Sequence, residues 1–568
     1  MSMRTYTRTG SPKSTPQTQV IPGREAAMGK NNAGGVSFTL DKWGRLDRFL
    51  ILGTEGGTYY VKEPKHTERN LSVVRDCIRE DGVRVVNRIV EISQEGRAVK
   101  NDPAIYALAM CLKAKESIKT RQAAAGAVPK VCRIGTHLFH FAEAVKSLGG
   151  WGRVTHRAFE NWYLGLPEQR LALQLAKYQS RDGWSHRDLL RKVRPKPDSP
   201  KRSALFEWST KGIEGKEEAW LSKEILADED LRLLGAFEQA KRAGTEAEIV
   251  SLIVNYDLPR ECIPTQWLNS VAVWDALLSS GKFGMPVGAL VRNLGKMTSI
   301  GLIKPMSSAL GTVVAKLSDA EAIKYSRLHP LSVLVAMNTY AQGHGVRGKL
   351  TWQPVQQVVD VLDDAFYTAF GNVPVTGKRH LLALDVSGSM TDPAIANMPG
   401  ISPRVGSAAM ALVTAAVEPN HHIVGFTASG RHGGCWTSAH SHSWFGGGSG
   451  ISPLSISPRS RLTDAVKEVS GLPFGATDCA MPMLYAMEKG LEVDTFVIYT
   501  DSETYAGTPH PSQALQQYRA QSGIDAKLIV VGMTASGFTI ADPSDPGMLD
   551  VVGFDASAPN MISQFSQG

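Results

Sequence analysis

The sequence predicts a mainly α-helical body followed by a C-terminal α/β domain built on a parallel sheet. Three observations carry this. From about residue 67 to 370, successive segments repeat apolar positions at 3- and 4-residue spacing, as in VRVVNRIVEI, AIYALAMCLKA and THLFHFAEAVKSL. Short breaks at Asp81-Gly82, Gly96, Gly149-Gly150 and Asp182-Gly183 separate them, which implies antiparallel helix pairs stacked side by side, as in HEAT-type repeats. From about residue 376 short, almost wholly apolar runs appear instead: HLLALDV (380–386), HIVGFT (422–427), TFVIYT (495–500) and KLIVVGM (527–533). Amphipathic stretches such as RVGSAAMALVTAAV and DCAMPMLYAMEKG lie between them, and buried strands alternating with helices mean a parallel sheet covered on both faces.

A chain of 568 residues exceeds one core and divides into domains. Residues 1–31, rich in Thr, Ser, Pro and Gly, read as a flexible arm; 32–370 form the helical body and 371–568 the α/β domain. In LDRFLILGTEGGTYYVKE, two β-prone runs flank Thr54-Glu55-Gly56-Gly57 and predict a hairpin. No apolar run is long enough for a membrane span, and the N-terminus lacks the apolar core of a secretory signal. The six cysteines never form a CxxC pair, which argues against a zinc site or a disulfide framework and suits a reducing cytoplasm. Of the 62 Lys+Arg and 54 Asp+Glu, 10 and 16 fall from residue 376 onward, so that part carries −6 and the preceding part +14. A basic body points to a polyanionic partner.

The first strand of the α/β domain ends in Asp385-Val386-Ser387-Gly388-Ser389 and the third in Thr500-Asp501-Ser502, while Gly475-Ala476-Thr477-Asp478 opens a helix. A doubly wound sheet gathers such loops into one mouth at its switch point. Two carboxylates and three hydroxyls form a hard, oxygen-only donor set suited to a divalent cation, Mg²⁺ or Mn²⁺. This resembles the metal-ion-dependent adhesion site of von Willebrand factor A domains. The resemblance implies that Ser387, Ser389 and Thr477 bind the cation directly, that Asp385 and Asp501 hold it partly through water, and that an acidic protein ligand completes it. The stretch from Arg431 through His432, Cys435, His440 and His442 to Gly446-Gly447-Gly448 has no compact zinc spacing and no P-loop Lys, and reads as a flexible surface loop.

Longer stretches are more specific. RFLILGTEGGTYYVKE, Gly149-Gly150-Trp151-Gly152-Arg153, SRDGWSHRDLLRKVRPKP (180–197), MPVGALVRNLGKMT (285–298), RLHPLSVLVAMNTYAQGHGVRGKLTW (327–352), TDSETYAGTPHPSQALQQYR and FTIADPSDPGMLDVVGFD resemble the TROVE module and A domain of the Ro 60-kDa ribonucleoprotein family. The resemblance runs from about residue 32 to the C-terminus. It implies a ring of HEAT-like helix pairs closed by the A domain, small Y-type RNAs on the outer surface, and single-stranded 3′ ends of misfolded or decaying RNAs in the central hole. A link to an exoribonuclease in RNA turnover goes with it. Two features depart from the family: Phe426-Thr427-Ala428 replaces its Phe-Ser-Asp, and the arm before residue 32 is unlike the family core.

SHRDLLRKVRPKP supplies a physical basis for the outer contact. Ser185 and Asp188 form a capping-box helix start. Arg187, Arg191 and Arg194 fall at i, i+4 and i+7 with Lys192 beside them, and Leu189, Leu190 and Val193 lie opposite. Such a stripe can track a phosphate backbone. His186, at the helix start, is expected to reach RNA, and the resemblance adds Arg153, Lys177 and Arg181 as neighbours. Arg292 and Lys296 share another helical face and are expected to line the hole, gripping single strands by charge.

The resulting expectation is a non-enzymatic RNA-binding scaffold. Two alternatives stand beside it. One is a protein-binding module whose metal captures an acidic partner without RNA. The other is a metal-dependent hydrolase using Asp385 and Asp501, which lacks an evident general base.

Overall fold

The computed structural model describes residues 14–54, 57–280, 285–346, 348–371, 373–391, 394, 401–428, 450–457, 460–470, 472 and 475–568. Two compact units are present: residues 1–70 with 372–568, and residues 71–371. The first is discontinuous, and it takes in residues up to 70 along with the C-terminal part.

Three N-terminal elements belong to the discontinuous unit: β1 (Met28–Lys30), β2 (Val36–Thr39) and α1 (Lys42–Leu52). The RFLIL run is therefore helix, not a hairpin strand. Asp41 caps it, accepting from the Gly44 amide at 2.7 Å, and its Leu46, Phe49, Leu50 and Ile51 are buried. The expected hairpin turn at Glu55-Gly56 lies outside the described residues; the hairpin observed is β1–β2. Residues of the arm from 14 onward are packed rather than flexible. The Gln17 amide donates to the Gly507 carbonyl at 2.9 Å, its side chain donates to Asp478 Oδ1 at 2.7 Å, and Thr15 N donates to Gln513 Oε1 at 2.9 Å.

The helix α2 (Glu63–Glu95), whose residues from 71 onward belong to the continuous unit, is broken at Asp81, where the backbone leaves helical geometry, as the Asp81-Gly82 pair foretold. There follow α3 (Asp102–Leu112), α4 (Ile118–Val131), α5 (Gly135–Ser147), α6 (Arg153–Gly165), α7 (Glu168–Lys177) and α8 (His186–Val193), then helices continuing to Gln356–Thr368. Consecutive helices pack on one another, α3 against α4 and α5, and α4 against α6. A two-stranded ribbon, β3 (Ser180–Arg181) and β4 (Trp184–Ser185), turns through Asp182-Gly183 into α8.

The C-terminal part forms the predicted sheet. Its strands are β5 (His380–Asp385), β6 (His421–Phe426), β7 (Ile451–Pro453), β8 (Thr495–Thr500), β9 (Lys527–Gly532) and β11 (Met548–Val552), in the order β11-β9-β8-β5-β6-β7. All pairs are parallel except β6–β7 at the edge. The short β10 (Phe538–Thr539) instead pairs with β2, tying the N-terminal segment to this unit. Both neighbours of β5 arrive by separate crossovers, so the loops after β5 and β8 diverge at one end of the sheet.

Arg48 of α1 is 1% exposed and forms a two-bonded pair with Asp550 of β11, at 2.9 and 2.7 Å. It also donates to the carbonyls of Ser536 and Phe538. Its guanidinium occupies the space that a Cβ on Gly532 would need, so that strand end admits only glycine. Arg48→Met is expected to lower the unfolding free energy of this unit by about 3 kcal/mol, because Asp550 is left without its buried partner. Denaturant titration followed by near-UV circular dichroism measures it.

Candidate metal site and basic surfaces

At the switch point Asp385 is fully buried. Its Oδ1 accepts from the Ser387 amide at 2.9 Å and its Oδ2 from the Thr500 hydroxyl at 2.6 Å. The Ser387 and Ser389 hydroxyls are 3.1 Å apart. Asp501 is 3% exposed and its Oδ1 accepts from the Glu503 amide at 3.0 Å. Thr477, also buried, is held in place through its carbonyl, which accepts from the Tyr505 and Ala506 amides. The five residues expected at the metal thus sit at or just beyond the strand ends on one side of the sheet.

Burial raises the Asp385 carboxyl above its ordinary range against hydrogen bonds from Ser387 and Thr500. Burial raises Asp501 further, helped by the charges of Asp385 and Glu503. Behind them lies Arg404, 3% exposed, whose guanidinium donates to the carbonyls of Leu472 and Val386; burial pulls its pKa down to about 10. Among the described residues no group of three His, Cys, Asp or Glu is arranged to hold a metal, so a cation here would need the Ser387, Ser389 and Thr477 hydroxyls as well as the two carboxylates. That donor set, all oxygen with excess negative charge, fits a hard divalent cation.

Several supports escaped the sequence. Thr500 orients Asp385. Asn32 donates from its amide to Glu503 Oε2 at 2.7 Å and from its side chain to Oε1 at 2.6 Å, bracing the loop that carries Asp501. In the departure from the family pattern, the Thr427 hydroxyl and Ala428 amide both donate to the Ala476 carbonyl, fixing the loop before Thr477. The His/Gly-rich stretch 429–449 lies outside the described residues.

On the continuous unit, α8 begins with the expected capping box. Arg187, Arg191 and Lys192 are exposed, and Leu189 and Leu190 are buried. Arg194 departs from the stripe: it is the C-cap, at φ 53°, with Nε donating to the Arg191 carbonyl. Lys192 stands 5.1 Å over the Trp151 ring, which in turn packs on Trp184 at 5.5 Å. Exposed Arg153 opens α6 and exposed Arg181 pairs across β3–β4 with Trp184. Lys177 differs: half-buried, it lies 3.9 Å from Glu261.

His186 does not reach solvent. It is 3% exposed, shares a 2.8 Å hydrogen bond with the Tyr163 hydroxyl through Nδ1, and packs against Trp162 and Phe139. This corrects the expectation that its edge meets RNA. Its spacing to Leu189, Leu190 and Val193 places it on the apolar face of α8.

Arg292 and Lys296 line a cavity of about 710 Å³. They share it with Arg133, His137 and Arg327, which no local pattern had marked. Lys296 donates to Asn269 Oδ1 at 2.7 Å, and Arg133 donates to the Ser93 hydroxyl at 2.7 Å. Among the described residues the lining holds no Asp or Glu. The charges repel: burial lowers Arg133, and Arg327 lowers it further. Burial and then Arg133 push His137 down to about 3, leaving it neutral.

The sequence comparisons agree with this architecture. A TROVE domain model matches residues 29–339 and a Ro60 vWA domain model matches residues 379–566. The chain belongs to the Ro60 family. It is 41% identical to RNA-binding protein RO60 of Deinococcus radiodurans over 567 residues, 100% of both chains. It is 34% identical to RNA-binding protein RO60 of Caenorhabditis elegans, covering 95% of this chain and 90% of the other. The crystal structure of the Deinococcus radiodurans RO (RSR) protein superposes with a TM-score of 0.66 at 41% identity, over 93% of this chain and 100% of that one. The TROVE match begins at residue 29, inside the unit that contains the vWA sheet.

Two outcomes follow from these sites. Burial depresses His186 from its ordinary 6.5 to about 3. Its contribution to stability is therefore complete above pH 6.5 and lost as pH falls toward 3, on the order of 2 kcal/mol by pH 5. His186→Phe, whatever it costs at pH 7, is expected to flatten the decline between pH 7 and 5 in denaturant titrations. Mg²⁺ at a hundred times its Kd is expected to stabilise the discontinuous unit by about 2.7 kcal/mol. Asp385→Ala should abolish that gain in thermal melts.

Proposed function

We propose that this chain is a non-enzymatic RNA-binding scaffold of the Ro type, acting in RNA quality control or turnover in the cytoplasm. Small structured Y-like RNAs lie along the α8 face, and single-stranded 3′ ends of misfolded or decaying RNAs enter the cavity. The observation that carries this reading is the cavity wall, where Arg133, Arg292, Lys296 and Arg327 converge without a carboxylate among the described lining residues. Like charges kept together at a cost to one another are explained by an anion that spends part of its time between them. The name of both relatives, RNA-binding protein, supports the same class of ligand.

The α8 face adds the second element. Arg187, Arg191 and Lys192 offer charge along one line, and Trp151 and Trp184 offer stacking surfaces beside it. An exoribonuclease would take over the ends presented by the scaffold. The metal site supplies a different function: its cation, held mainly by neutral hydroxyls, keeps enough charge to accept an acidic group from a protein partner. Ser387, Ser389 and Thr477 would bind it, with Asp385 and Asp501 positioned around it.

Replacing Arg187, Arg191 and Lys192 together by Ala is expected to weaken binding of a structured small RNA. It should also flatten the slope of log K against log salt by about 2–3, roughly one for each phosphate that is no longer neutralised. Filter binding across a salt series measures both, and an unchanged slope would refute the outer-face assignment. Arg292→Ala with Arg327→Ala should spare the structured RNA and weaken a short single strand. Labelled RNA held with the protein and Mn²⁺ should remain intact; cleavage that vanishes in Asp385→Ala would establish the hydrolase instead.

A further inference from the structure

One wall of the cavity is aromatic. Trp352 lines it, half-buried, with its indole laid on the helix Val287–Ser299 at Gly295. A Cβ at Gly295 would stand 2.7, 2.8 and 3.0 Å from three atoms of that ring, so the absence of a side chain there is what lets the indole lie flat. Gly295 has ordinary helical geometry, so its use is steric, and a glycine inside a helix costs about 1 kcal/mol relative to alanine.

Further contacts hold the ring in place while it still lines the cavity. Its Nε1 donates to the Tyr340 carbonyl at 2.9 Å and its backbone amide to the Gly343 carbonyl at 2.8 Å. Tyr340 lies nearly parallel to it, with ring centroids 6.0 Å apart and 26° between planes. Tyr340 is itself held through its hydroxyl by Thr298 and by the Val355 amide. The loop between, closed by the His344–Thr351 bridge and the Gly345–Leu350 hydrogen bond, brings Gly345 and Leu350 to the same cavity. A rigid indole in a cationic cavity has the two components of single-strand recognition, a planar stacking surface and charge for the backbone.

We propose that Trp352 is a nucleobase seat: one unpaired base of an RNA strand stacks on the indole while Arg292, Lys296 and Arg327 hold its phosphates. This rests on the cavity being the single-strand site, and it adds that the grip is partly on a base rather than on charge alone. The seat discriminates against strands that lack a base at that position, and against ends whose bases remain paired.

The test uses the full chain and an eight-nucleotide oligoadenylate with a 5′ fluorophore, followed by anisotropy. Trp352→Ala is expected to weaken binding about tenfold, from the loss of one stacked base. Trp352→Phe should restore most of it. Gly295→Ala, which displaces the ring and leaves the indole present, should weaken binding in the same direction. The decisive probe is the same oligonucleotide with abasic sites replacing its last two bases: wild type and Trp352→Ala should bind it equally. If Trp352→Ala and Gly295→Ala bind oligoadenylate as wild type does while Arg292→Ala/Arg327→Ala binds weakly, the base seat is wrong and the single-strand cavity stands. If the arginine variant also binds normally, both are wrong. Matched far-UV spectra and melting temperatures keep a folding defect from passing as a loss of stacking.

Discussion

Like charges brought together in poorly solvated places are a constraint that both units share. In the discontinuous unit Asp385 and Asp501 are buried near each other with Arg404 behind them. Desolvation opposes both carboxylates, and the surrounding donors do not fully offset it. In the continuous unit Arg133 and Arg327 line one cavity whose described lining has no acid, and the charge of one lowers the other. Each arrangement costs folding free energy, and the rest of the unit must supply it.

That supply is visible in what surrounds each site. The loops of the candidate metal site are braced by hydrogen bonds from Asn32, Gln17, Thr427 and Thr500, and by the close approach of Gly35 to the Thr504 carbonyl, which leaves no room for a Cβ. The cavity is braced by the aromatic and hydrogen-bonded set around Tyr340 and Trp352. Rigid supporting shells of this kind are how strained or charged sites persist in a marginally stable chain.

The parts legible in the sequence are those whose information is local. Four apolar runs marked four strands of the sheet, and DVSGS and Thr500-Asp501 stood out because each closes one of those strands. RFLIL was misleading: aromatic and branched residues suggested a strand, although Asp41 carried a helix-start signal and tertiary burial of α1 decided the outcome. His186 was legible and misjudged, since its period with Leu189 and Leu190 already placed it inward. The packed arm was not legible at all, and of the cavity only Arg292 and Lys296 were. Gln17 meets Asp478 and Arg48 meets Asp550 across 461 and 502 residues, and the cavity draws its wall from residues 92 to 352. No window of sequence contains such pairings.

The discontinuous unit has a consequence for biogenesis. Strand β2 is made early, yet its partner β10 and the Asp550 carboxylate for Arg48 emerge some 500 residues later, roughly 25–100 s at ordinary elongation rates. Through that interval α1 keeps its apolar face and a cationic side chain destined for burial without their partners. On the ribosome this segment is a waiting adhesive end until its tail arrives.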